Sequence, residues 1–163
     1  FIKNFNEIFK NHPDYKFSIL FADNNSTDSS REILKKICKE RKEIKYIRYA
    51  KNNGVMKSLF NAIKHVDTDA CAVFDCDLQD DPKLLNEFIK NWEEGYDMVY
   101  GIVNSRPGKS KTRKLNSILF YKIINILTKG LIPKDVSDYR LVDKKVLNAV
   151  KSMNEYNLSL IHI

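Results

Sequence analysis

The sequence predicts an α/β fold with a mostly parallel central sheet, and three observations carry that expectation. Short apolar runs recur at similar intervals, at residues 17–21, 44–47, 70–74 and 98–100. The stretches between them have helical periodicity, and capping residues stand at their boundaries. Alternation of this kind implies parallel strands joined by right-handed helical crossovers.

Residues 1–10 read as a helix with Phe5, Ile8 and Phe9 on one face. An opening helix in this rhythm should follow a strand, so the first strand of the sheet is expected to precede Phe1. After the run at 17–21, Ile33, Leu34, Ile37 and Cys38 mark a second helical face, and Ser29 with Glu32 reads as a capping box. Leu59, Phe60 and Ile63 mark a third face. The run at 70–74 is apolar throughout, as expected of a strand covered on both sides. Leu84, Leu85, Phe88, Ile89 and Trp92 then form a fourth face, with Pro82 suited to its first turn and Gly95 to its end. Beyond Gly101 the rhythm changes. Residues 106–109 form a polar loop, and an amphipathic segment follows through Leu115, Ile118, Leu119, Ile123, Ile126 and Leu127. It is either a core helix packed on the sheet or an interfacial helix, basic on one side and apolar on the other. Ser137 to Arg140 reads as a loop, ahead of a short helix around Val146, Leu147 and Val150 with Asp143 as its cap.

At 163 residues and 43% hydrophobic composition the chain suffices for one domain, spanning 1–163, with a real core. Phe1 is not an initiator Met, and residues 158–163 are apolar without a polar tail, so truncation at both ends is expected. No apolar run reaches the roughly 18 residues of a membrane span. Three cysteines are an odd number without metal-type spacing; Cys38 and Cys71 read as core thiols, in keeping with a reducing, cytoplasmic setting. The net charge of +7 invites a nucleic-acid reading. The basic residues are divided, however, between a solvated helix face (Lys35, Lys36, Lys39, Arg41, Lys42) and a cluster at Lys109, Lys111, Arg113 and Lys114. Aromatic residues do not interleave the second cluster, which argues against a nucleic-acid partner. It could instead meet a phosphate-bearing substrate.

Ligands of open parallel sheets bind at the carboxyl ends of the strands. Two polar clusters fall there: Asp23-Asn24-Asn25-Ser26-Thr27-Asp28 after one strand, and Asp75-Cys76-Asp77-Leu78-Gln79-Asp80-Asp81 after another. Four carboxylates so close repel one another unless a cation compensates, and hard oxygen donors suit Mg²⁺ or Mn²⁺. Asp77 and Gln79 alternate along extended chain and could face one ion. Asp81, and with it Asp80, also fits an acidic helix start ahead of Pro82. That reading leaves Asp75 and Asp77 at the strand end unexplained. Asp28 fits a helix cap, whereas Asp23 is placed to accept hydrogen bonds from a base or ribose.

The order Asp23-Asn24-Asn25-Ser26-Thr27-Asp28, Asn53-Gly54, Asp75-Cys76-Asp77-Leu78-Gln79-Asp80-Asp81-Pro82 resembles family 2 glycosyltransferases, and among them polyprenyl-phosphate glycosyltransferases. The likeness continues through Gly101–Arg106 and Ser137-Asp138-Tyr139-Arg140-Leu141. It implies a GT-A, Rossmann-like three-layer fold and transfer, with inversion, from a UDP- or GDP-sugar donor. Asp23 and Asn25 would then lie on the nucleotide, Asp75 on the donor, and Asp77 and Gln79 on the divalent ion. Arg106, Arg113 and Arg140 would fall near donor or acceptor phosphates, and Asp138 on the acceptor side. The implied acceptor is a lipid phosphate, with membrane association at the cytoplasmic face; a saccharide hydroxyl is the alternative, and a homo-oligomer is also compatible. Two departures stand out. The usual second Asp and Gly of the first turn are Asn24 and Asn25, and the Lys common after the Gly at position 54 is replaced by Val55-Met56-Lys57, so Lys57 has no assigned role.

Overall fold

A computed structural model describes residues 1–77, 80–102 and 136–153. Gln79, Arg106, Arg113 and the amphipathic segment at 111–129 lie outside the described residues. The elements run α1 (Ile2–Asn11), β1 (Ile19–Asp23), α2 (Ser30–Glu40), β2 (Ile44–Arg48), α3 (Val55–Lys64), β3 (Ala70–Val73), α4 (Leu84–Glu93), β4 (Met98–Ile102), β5 (Val136–Asp143) and α5 (Lys144–Ser152). Each strand anticipated from an apolar run is present within two residues of its expected ends.

β1 and β2 pair in parallel, with Ile19 opposite Ile44 and Asp23 opposite Arg48. The second sheet has the order β3-β5-β4, and β5 runs antiparallel to both neighbours. Residues 137–140, expected as a loop, are therefore the first half of an eight-residue strand. The reason lies in burial. Tyr139, Leu141 and Val142 are core residues, and Arg140 is buried with them. Polar residues at the strand's start hide a segment that is interior on both faces.

Two clusters make the core. Phe5 and Ile8 of α1 meet Leu85, Phe88 and Ile89 of α4 and Tyr139 and Leu141 of β5. Phe60 and Ile63 of α3 meet Val142, Leu147 and Val150. Helix α2 departs from its expected role: it has no fully buried residue, and Ile33 is 53% exposed. Its apolar stripe rests on β2, whose described pairing is to β1 alone, so little surface is available to cover it. β3 also differs, since Ala72 is exposed and its neighbours are half-buried.

Some helix boundaries follow the sequence, whereas Pro82 lies in the turn before α4 and not in its first helical turn. Asp143 caps α5, accepting from the Lys145 amide at 2.8 Å. Gly95 ends the α4 region at φ +101°, where a side chain would be strained. The Ser29–Glu32 capping box does not form; the Ser29 side chain makes no cap bond, and Asp28 accepts from the Ser30 amide at 3.0 Å instead.

Candidate active site at the strand ends

The first polar cluster is built around Asp23, the last residue of β1 and only 7% exposed. Its Oδ1 accepts from the Ser26 amide at 2.7 Å, closing the turn. Its Oδ2 accepts from the Tyr46 hydroxyl at 2.8 Å and meets the Arg48 Nε at 3.3 Å. Burial alone would raise the Asp23 carboxyl, but the Ser26 and Tyr46 hydrogen bonds and the Arg48 charge together hold it below the ordinary carboxylate range. Tyr46 and Arg48 are the residues that sequence reading missed. Their signal was available: β2 side chains two apart share a face, and parallel register sets Arg48 opposite Asp23.

The turn after Asp23 uses asparagine as the sequence allows. Asn25 takes φ 69°, left-handed backbone that Asn tolerates better than most residues. Asn24 reaches across to the loop before α3. Its Nδ2 donates to Asn52 Oδ1 at 2.8 Å, while its Oδ1 accepts from the Asn53 amide at 3.0 Å and the Ser58 hydroxyl at 2.7 Å.

The acidic cluster follows β3, and β5 holds the loop that carries it. The Phe74 ring stands edge-on to Tyr139 with centroids 4.5 Å apart. Ser137 Oγ donates to Asp80 Oδ2 at 2.9 Å and accepts from the Tyr139 amide. The Tyr139 hydroxyl reaches the Pro82 carbonyl at 3.4 Å. Asp81 accepts from the Lys83 amide at 2.9 Å, closing the turn that leads into α4, whose N-cap is Lys83 and not the expected Asp81. Asp80 serves differently from the expected helix start, as the anchor for Ser137.

Asp75 is exposed, and its carboxyl is raised by partial burial, then by the charges of Asp77, Asp138 and Asp80. Carboxylates far apart in sequence thus share one electrostatic environment. The Asp138 side chain is 74% exposed, open to an incoming group. Arg140 is 2% exposed, with Nε donating to the Asp138 carbonyl at 3.2 Å and Nη2 to the Ser137 carbonyl at 3.1 Å. Burial pulls its pKa down while Asp138 pushes it back up. The enclosed guanidinium braces the start of β5, and its Nη2 also meets the Asp138 carboxylate at 3.5 Å.

Mutual repulsion among Asp75, Asp77, Asp80 and Asp138 and their hard oxygens fit Mg²⁺ or Mn²⁺ in donor chemistry. Among the described residues, however, His, Cys, Asp and Glu side chains do not converge in threes as a closed metal cage would require. An ion held largely by substrate phosphates needs fewer protein ligands.

An α/β fold that carries an Asx-rich turn and an acidic loop at its strand ends fits a glycosyltransferase of the GT-A type. The family model described as "Glycosyl transferase family 2" matches residues 2–151, and the chain belongs to that family. It is 37% identical over 150 residues to the putative glycosyltransferase CsbB of Bacillus subtilis, covering 91% of this chain and 45% of the relative. With the uncharacterized glycosyltransferase YkcC of the same organism it shares 33% identity over 141 residues, 86% of this chain and 44% of that protein. A bactoprenol glucosyl transferase of Shigella phage SfV is 27% identical over 144 residues, 88% of this chain and 47% of its own length. The chain thus spans about half the length of the curated relatives it matches. Among the described residues, no helix is long and apolar enough to cross a membrane.

Proposed function

We propose that this glycosyltransferase moves a sugar from a UDP- or GDP-sugar to a polyprenyl phosphate, with a divalent cation and with inversion at the anomeric carbon. One observation carries the reading: Ser137 of β5 holds Asp80 of the acidic loop at 2.9 Å while Tyr139 packs on Phe74, so the acidic loop and the start of β5 meet. The bactoprenol-directed relative supports the choice of acceptor class.

In this reading the turn at Asp23 and Asn25 receives the nucleotide, Asp75 orients the donor, and Asp77 with Gln79 would hold Mg²⁺ or Mn²⁺ on the diphosphate. A divalent cation, when bound, offsets the negative charge that develops on the leaving nucleotide. Arg106 and Arg113 supply further positive charge to donor or lipid phosphates. Arg140 acts from inside, bracing the chain that carries Asp138. A polyprenyl phosphate is already largely ionised at neutral pH, so positioning matters more than proton removal. The whole protein would then work at the cytoplasmic face of a membrane.

A hydroxyl acceptor is the second reading, favoured by the accessible Asp138 carboxylate, which could take the proton from an attacking hydroxyl. Calorimetric titration of UDP- and GDP-sugars with and without Mn²⁺ tests the donor site. Metal-dependent binding is expected, with loss of at least about tenfold in affinity for Asp77→Ala, worth roughly 1.4 kcal/mol. Equal, metal-independent binding by the wild type and the variant would remove the metal assignment. Transfer to polyprenyl phosphate that survives in Asp138→Asn would favour the lipid acceptor over the hydroxyl.

A further inference from the structure

We infer that Asn24 is a positioning residue that clamps the loop at residues 51–54 against the end of β1 and so fixes one wall of the donor site. The inference rests on the donor-site reading above and deepens it. The clamp has two arms of opposite sense. The Asn24 amide nitrogen donates to Asn52 Oδ1, and its oxygen accepts from both the Asn53 amide and the Ser58 hydroxyl, all within 2.7–3.0 Å. Asn52 Oδ1 in turn accepts from the Gly54 amide at 2.9 Å, so the same oxygen shapes the tight turn into α3. Gly54 takes φ +81° there, a geometry that side chains rarely adopt.

This network states why asparagine stands at position 24. A carboxylate could still accept from Asn53 and Ser58, but it would set an unprotonated oxygen 2.8 Å from Asn52 Oδ1. If Asn52 rotated its amide to donate instead, the Gly54 amide would lose its acceptor. An aspartate at position 24 therefore breaks one arm whichever way the loop adjusts. Asp23 cannot substitute, because its carboxylate is already engaged by Ser26, Tyr46 and Arg48. The loop and Asp23 meet at the carboxyl ends of two parallel strands, where a ligand of such a sheet is received.

The test uses the full-length protein with Asn24→Asp and Asn24→Ala, read in two ways. Amide hydrogen exchange is expected to speed up about tenfold or more at Asn53 in Asn24→Ala, which removes its acceptor, and at Gly54 in Asn24→Asp, where Asn52 must turn away, with the core strands unchanged. Affinity for UDP or GDP, whichever the wild type binds, is expected to fall about tenfold, with Asn24→Ser restoring part of it through its acceptor oxygen. Unchanged exchange in Asn24→Ala would overturn the clamp. Faster exchange with wild-type nucleotide affinity would overturn the loop's role as a wall, and either result leaves the donor-site reading intact. Failure of the wild type itself to bind either nucleotide, with Mg²⁺ or Mn²⁺ present, would bring down the donor-site reading and this inference together.

Discussion

Asp23 shows how a single carboxylate can organise a strand end. It is buried, with a carboxyl held below the ordinary range, because three groups from β2 and the following turn converge on it. Asp23→Asn keeps the shape but loses the charge that Arg48 and Tyr46 face, and should destabilise the fold by about 1–3 kcal/mol in chemical denaturation. The pH dependence follows from the depressed carboxyl. A carboxyl whose folded pKa lies below its unfolded value stabilises the fold above about pH 4, and that contribution disappears as pH falls through the folded value. The wild type should therefore lose stability in acid more steeply than Asp23→Asn, as thermal midpoints between pH 2 and pH 6 would reveal. At this scale residue type and place single out Asp23, Asp75 and Asp77, whereas Asp138 stands out only through the family resemblance. The partners were harder to see. Tyr46, Arg48, Ser58 and Ser137 are ordinary residues whose importance comes from what lies opposite them, and only strand register supplies that.

The elements differ in how legible they were. Helices α1, α3 and α4 announced themselves because each buries a continuous apolar stripe. β5 was not legible as a strand, since it opens with Ser137, Asp138 and Arg140 and alternation is masked by burial on both faces. Spacing marks a capping box at Ser29, yet the neighbouring Asp28 side chain takes the Ser30 amide, a competition between adjacent cap formers that spacing alone does not decide. The cap on α5 has the larger consequence. Asp143 holds the Lys145 amide with one oxygen and the Trp92 indole at 2.8 Å with the other, joining α5 to α4. Asp143→Ala should cost about 1–2 kcal/mol, the sum of a lost cap and a lost cross-link. Ser29→Ala should leave the unfolding midpoint unchanged. Equal effects of the two substitutions in urea denaturation would contradict this division.

For the whole molecule, the arrangement of sheets carries its own expectation. Among the described residues β1 pairs only with β2, and β3 only with β5. Phe1 packs against both Phe21 of β1 and Phe74 after β3, with ring centroids 5.8 and 5.4 Å away. Phe1 is thus a side chain that bridges the two sheets, and Phe1→Ala should lower the thermal midpoint by roughly 4 °C or more, an unchanged midpoint counting against that bridge. The position of β5 between β3 and β4 has a separate consequence, for the order in which the molecule is made. Ile102 ends β4 and Val136 begins β5, so the ribosome must deliver the intervening chain before the middle strand exists. At about 5–20 residues per second that wait lasts on the order of seconds. Until then β3 and β4 lack their shared neighbour, and the acidic loop lacks Ser137, Tyr139 and Asp138. The acidic loop is therefore braced late during synthesis, and a nascent chain released before Asp143 would leave the ribosome with the turn after Asp23 complete and the acidic loop without its β5 supports.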